Sequence, residues 1–182
     1  KIMRVGNLAA RSTDGEFQIN FSTNSFMGRI KVYNMLGCCS HEMRMSQVEF
    51  SPINEVAQAI IKLASTPKEC NVFHPYNIHT QFLGDILSGL KKVTQGVQFV
   101  EMEQFNEAME QAKNHPTKAK LLSSLLAYQN MAHGQKTGDV KRNNDYTTQV
   151  LYRLGFNWSP TTWDYTERML KAIGGLGFFD IN

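Results

Sequence analysis

The chain has 182 residues, 42% of them hydrophobic and 19% charged, with 19 Lys plus Arg against 16 Asp plus Glu. That length suits one domain or two small ones, and the apolar share is enough for a packed core, which excludes disorder as the main description. A net charge of +3 is too small to imply a nucleic-acid partner, and 13 Gly and 5 Pro exclude collagen-like and low-complexity classes.

The N-terminal stretch Met3–Leu8 starts apolar and ends at Gly6-Asn7, which predicts a strand running into a loop. Phe26, Ile30, Tyr33 and Leu36 are spaced for an amphipathic helix, with Gly37 as its stop. Val48 and Phe50 predict a short strand ended by Pro52, and Asn54 is placed to cap the helix that follows. Cys70–His74 predicts another short strand. Thr80 is then expected to cap a helix over Gln81–Val93, and Val97–Val100 alternates as a strand. After residue 103 the pattern turns helical. Phe105, Met109 and Ala112 space one helix, and Leu121, Leu122, Leu125, Leu126 and Tyr128 space another after Pro116. A polar loop from Gly134 to Asn144 leads to a helix over Tyr146–Leu154, stopped at Gly155. A final helix over Trp163–Ile173 ends at Gly174-Gly175. Alternation of strand and helix over the first hundred residues predicts an α/β fold with parallel strands.

No apolar run approaches the roughly 18 residues of a membrane span. Lys1-Ile2-Met3-Arg4 opens without the apolar stretch of a signal peptide. The three cysteines, Cys38, Cys39 and Cys70, are odd in number and two are adjacent, so no disulfide framework is expected and the cytoplasm is the expected compartment. Cys38-Cys39-Ser40-His41 lacks a second ligand pair at zinc spacing, so no metal is expected. Glu101, Glu103, Glu107 and Glu110 form an acidic stretch, followed by the basic Lys113, Lys118, Lys120, Lys136, Lys141 and Arg142. Such runs are usually solvated helix faces; the alternative is a docking surface for an acidic partner. His74 and His79 are expected as structural histidines. The nucleotide-binding signature G-x-G-x-x-G is absent, and the Gly174-Gly175-Leu176-Gly177 cluster is followed by no helix.

Several segments carry a resemblance when taken in order. Arg4-Val5-Gly6-Asn7-Leu8-Ala9-Ala10-Arg11-Ser12-Thr13-Asp14-Gly15 resembles a stretch of the extended short-chain dehydrogenase/reductases. More closely, it resembles the thioester reductase domains that end nonribosomal peptide synthetases. Phe17–Phe21, Asn24–Met27, Phe50–Ile60, Val72–Asn77 and Leu154–Trp158 continue the match. The resemblance implies the C-terminal part of a Rossmann-like fold over residues 1–103, followed by a mainly helical substrate or lid subdomain over 104–182. It also implies an NADPH-dependent reduction of a thioester carried on a phosphopantetheine arm, releasing an aldehyde or alcohol. The family's catalytic Tyr-x-x-x-Lys has no counterpart: the six tyrosines are followed at that spacing by Gly37, Thr80, Ala132, Val150, Phe156 and Met169. No catalytic residue is therefore assigned. The chain is expected to be the back part of a longer enzyme, inactive alone and not binding NADPH by itself.

By the same resemblance Gly6, Asn7 and Leu8 are cofactor-binding positions beside the nicotinamide, at a strand end where open α/β sheets bind ligands. Phe21, Asn24, Phe26 and Met27 would wall the pantetheine channel, with core packing the alternative. The implied partner is a phosphopantetheinylated carrier domain with its thioester. Two other functions compete: a fragment of a sugar-nucleotide-type extended reductase, and a non-catalytic module that docks a carrier protein through the basic stretch. An incomplete Rossmann sheet would expose an unpaired edge, so homodimerisation, strand exchange or poor solubility is expected.

Overall fold

Short strands and longer helices alternate through residues 1–17, 24–123 and 143–180, the residues described in this computed structural model. Strands β1 (Ile2–Met3) and β6 (Val72–Phe73) pair in parallel, as do β2 (Leu8–Ala9) with β5 (Ser51–Pro52) and β3 (Cys38–Ser40) with β8 (Gln98–Val100). Parallel pairing requires a crossover between the partners, which the intervening helices supply. The remaining pair among the described residues, β4 (Gln47–Glu49) with β7 (Thr80–Phe82), is antiparallel. The α/β class with parallel strands thus stands, with the sheet broken into two-stranded pieces.

Helix α1 (Ser25–Leu36) begins at Asn24, whose side chain accepts from the Met27 N–H at 3.1 Å. It ends at Gly37, which takes the left-handed conformation (φ 68°) that a Cβ would penalise. Its buried residues Met27, Ile30, Val32, Tyr33 and Met35 face more than one side, because β3 and α4 (Met102–Lys113) both pack on it. Helix α2 (Ile53–Ala64) is one-sided, burying Val56, Ala59 and Leu63 at helical spacing while Ile61 stays in solvent. Pro52 precedes its first turn. Asn54 is not the cap: its Oδ1 accepts from the Ser12 N–H at 3.0 Å and its Nδ2 donates to Ser12 Oγ at 3.0 Å. A tertiary partner took the side chain that the sequence offered for local capping.

The helix expected over Gln81–Val93 is shorter. Thr80–Phe82 is strand β7, and α3 runs Leu83–Gly89 before a tighter turn at Leu90–Lys92. Thr80 therefore caps nothing; its backbone is in a ladder with Glu49. Leu83, Ile86, Leu87 and Leu90 are fully buried, each contributing roughly 1.5–3 kcal/mol of apolar burial. Helix α4 opens on a capping box in which Glu101 and Gln104 satisfy each other's backbone N–H. Helix α5 is described over 116–123. Helix α6 (Asp145–Arg153) is followed by Gly155 with φ 69°, and α7 (Trp163–Gly175) runs through both glycines expected to stop it. The left-handed turn comes at Gly177 instead. Most of the polar loop, with Lys136, Lys141 and Arg142, lies outside the described residues, as do Leu125, Leu126 and Tyr128.

Two hydrophobic clusters hold these elements. The larger joins Ala9 and Ala10 to α1, α3, α4, Leu122, α7 and the terminal Phe178 and Phe179. The smaller joins α2 and Phe73 to Leu151, Phe156 and Trp158. Each cluster draws on residues from both sides of position 103. No helix among the described residues is long and apolar enough to cross a membrane, and no group of three or more His, Cys, Asp or Glu side chains among them is placed to hold a metal ion.

Candidate functional site

Chain order puts Gly6 and Asn7 between two strands that belong to different pairs. They follow the C-terminal end of β1 and precede β2, so Leu8 is a strand residue and not part of the loop. What holds this link in place is Glu49, at the end of β4. The Asn7 N–H donates to Glu49 Oε2 at 2.9 Å, and Asn7 Nδ2 donates to the Glu49 backbone carbonyl at 3.2 Å. Ser51 donates its hydroxyl to Glu49 Oε1 and its N–H to the Asn7 carbonyl at 2.9 Å. Ser51 Oγ in turn accepts from the Asn77 N–H at 2.9 Å. Both carboxylate oxygens therefore receive a donor, the arrangement an ionised Glu satisfies best.

Gly6 has a reason beyond a generic turn. A Cβ there would lie 2.6 Å from Glu49 Oε2 and 2.6 Å from Tyr76 Cβ. The close approach that Gly permits is to the protein's own carboxylate and Tyr76. Asn77 is fully buried and spends its side chain on structure: Oδ1 accepts from the His79 N–H at 3.0 Å and Nδ2 donates to the Ser159 carbonyl at 3.1 Å. Buried Glu55 accepts from the Ser159 N–H at 3.0 Å. The Tyr165 hydroxyl donates to the Ala10 carbonyl at 2.9 Å, and burial, reinforced by the charges of Glu55 and Glu49, pushes its ionisation well above the usual tyrosine range. The His74 N–H donates to Thr147 Oγ1, so both strand-end histidines are engaged through their backbones.

Of the residues expected along a substrate channel, Asn24 reaches the strand that follows the link, with Nδ2 donating to the Leu8 carbonyl at 3.4 Å. Phe26 packs edge-on against Phe50 at 5.2 Å between ring centres, next to Glu49 and Ser51. Met27 is 1% exposed and belongs to the larger core. Phe21 lies outside the described residues. A surface pocket of about 230 Å³ opens elsewhere, among Gln81, Phe82, Asp85, Thr161 and Trp163, and shares no residue with the Gly6–Asn7 link.

No family model and no curated protein matches the sequence. Solved structures do. A thiolation-reductase di-domain from an archaeal non-ribosomal peptide synthetase is 30% identical, superposes with a TM-score of 0.82, and matches 99% of this chain over 37% of its own length. This chain has the fold of part of a synthetase reductase domain. The reductase domain of the aureusimine biosynthetic cluster is similar in fold at 19% identity, with a TM-score of 0.78 over 97% of this chain and 45% of its own. The terminal R domain of the myxalamid PKS-NRPS pathway follows at 16%, with a TM-score of 0.75 over 99% and 44%. The reductase-fold chain thus spans between 37% and 45% of the length of each of these proteins.

Sequence reasoning picked out Gly6, Asn7 and Asn24 but missed what holds them. Ser51 and Asn77 lie in segments that carry the resemblance but signal no role by themselves, Glu49 lies just outside them, and the partners concerned are 26 and 42 residues apart. The one local signal was a lone carboxylate flanked by Val48 and Phe50 in a strand of the reductase fold.

Proposed function

We propose that this chain is part of an NADPH-dependent thioester reductase, one that releases a carrier-bound acyl or peptidyl thioester as an aldehyde or alcohol. The observation that carries the proposal is the match to the archaeal thiolation-reductase di-domain over 99% of this chain. The residues of the link suit one end of the cofactor. Asn7 is exposed, both its backbone N–H and its side-chain NH₂ are engaged by Glu49, and its Oδ1 accepts no hydrogen bond from the described residues. A nicotinamide carboxamide offers the matching donor. The phosphate-binding glycine loop is not among these 182 residues.

NADPH, when bound, would supply the hydride equivalent that reduces the thioester carbonyl to the aldehyde, the carrier's thiol being the leaving group. Asn7 holds the carboxamide end, the Gly6–Asn7 link stays fixed by Glu49, and Asn24 and Phe26 border the approach. The general acid belongs to the longer polypeptide, and the carrier domain with its phosphopantetheine arm is the partner that presents the substrate.

Calorimetry tests this with NADPH titrated into the natural polypeptide and into this chain, alongside the intact mass of the natural product. Binding by a longer natural polypeptide, with NADPH consumed in the presence of a carrier-bound thioester, is the expected result. A natural product of 182 residues that binds no nucleotide would overturn the reductase proposal.

A further inference from the structure

Asn7 is held more firmly than a strand-exit residue needs to be. Its N–H, its side-chain amide and its carbonyl are all engaged, the first two by Glu49 and the third by the Ser51 N–H. The amide NH₂ lies on the Glu49 backbone carbonyl at 3.2 Å, which fixes the rotation of the carboxamide and leaves Oδ1 without a donor among the described residues. Glu49 can close on this residue because Gly6 carries no Cβ. Ser51 orients the carboxylate from the other side and is itself fixed by the buried Asn77 N–H.

We propose that Glu49 is a positioning residue: its carboxylate clamps the Gly6–Asn7 link so that Asn7 Oδ1 accepts a hydrogen bond from the carboxamide of a nicotinamide ring. The proposal rests on the reductase reading above. It separates Glu49 from a carboxylate that only stabilises the fold, because a clamp acts on the ligand through the Asn7 side chain and loses its effect when that side chain is removed. Removing a hydrogen bond to a charged acceptor weakens the dependent equilibrium about tenfold to a hundredfold.

Two readouts separate the clamp from the function. The first is hydrogen exchange of the Asn7 backbone amide in this chain. Glu49→Gln, which replaces one acceptor oxygen by a donor, should speed it about tenfold or more. Glu49→Asp keeps the charge but draws it back by a methylene, and serves if the Gln variant fails to fold. An Asn7 amide that already exchanges freely in the unsubstituted chain, or is unmoved by either variant, overturns the clamp and leaves the reductase reading intact.

The second readout is NADPH affinity of the natural polypeptide by calorimetry. Either Glu49 variant should weaken it about tenfold, and should add less than about twofold once Asn7 is already Ala. Equal losses in the two backgrounds would overturn the proposal, since Glu49 would then act by another route. A natural polypeptide that binds no NADPH at all would overturn the reductase reading, and this proposal with it.

Discussion

Replacing Gly6 by Ala tests whether this glycine serves the protein's own packing. The added Cβ would sit 2.6 Å from Tyr76 Cβ and 2.6 and 2.7 Å from the two carboxylate oxygens of Glu49. Unstrained carbon contacts are about 3.5–4.0 Å, so the link must move by about 1 Å. The Glu49 carboxylate can rotate away only by leaving the Asn7 N–H and the Ser51 hydroxyl. Tyr76 Cβ is fixed by its backbone, whose carbonyl accepts from Asn144 Nδ2 at 2.9 Å. Overpacking of this kind costs about 1–3 kcal/mol. For a chain of this size that is a fall in Tm of about 3–10 °C. Differential scanning calorimetry without any ligand is the assay. A Tm within about 1 °C of the unsubstituted chain would refute the packing argument. If that variant also lost NADPH binding in the natural polypeptide, the glycine would be there for the ligand's approach instead.

Other expectations follow from buried polar groups and from charge. Tyr165→Phe leaves the fully buried Ala10 carbonyl without its donor, and urea unfolding should show a loss of about 1–3 kcal/mol. Because folding raises the Tyr165 ionisation above its ordinary value, the stability it supplies is intact below about pH 10 and falls beyond; the Phe variant should decline less steeply there. Cys39 behaves alike: burial pushes its thiol from 9.0 up to about 11. Its share of stability, on the order of 2 kcal/mol, is present below pH 9 and lost as pH rises through about 11. Cys39→Ala should lower the baseline but flatten the curve between those values; an unchanged slope would dismiss the thiol as its source. Lys118→Glu with Lys120→Glu should weaken association with an acidic carrier domain at low salt, and an unaltered affinity there would remove the basic stretch from the docking surface.

How much of this was readable in the sequence depended on whether a feature was local. Helix α1, its stop at Gly37, the turn at Gly155 and the start of α7 follow from spacing and from residues that tolerate φ > 0, and all were legible. The caps assigned to Asn54 and Thr80 failed for one reason: residues far along the chain claimed them. Ser12 took the Asn54 side chain, and Glu49 took the Thr80 backbone into a ladder. The candidate site was half legible in the same sense. Gly6-Asn7 stands out as a turn signal, whereas Glu49 and Asn77 look like an ordinary strand carboxylate and an ordinary turn residue until the fold brings them to Ser51.

The site is also tied to the helices that follow it in sequence. Asn144 holds the Tyr76 carbonyl, Ser159 bridges Asn77 and Glu55, and Tyr165 holds the Ala10 carbonyl. These bonds run from the residue that precedes α6, from α7 and from the segment between the two helices to Tyr76 and Asn77 after β6, to Glu55 in α2 and to Ala10 just past the end of β2. Losing them would strand buried polar groups at each contact, so the strand ends should not stay ordered once α7 opens. The Ser51 and Asn77 amides are buried and bonded within the site, which makes them suitable reporters. Followed by hydrogen exchange at rising denaturant, they should converge on the same opening free energy as the core amides of α7. If α7 opened at lower free energy while Ser51 and Asn77 remained protected, the site would be self-supporting, and the contacts from Asn144, Ser159 and Tyr165 would be passengers on it.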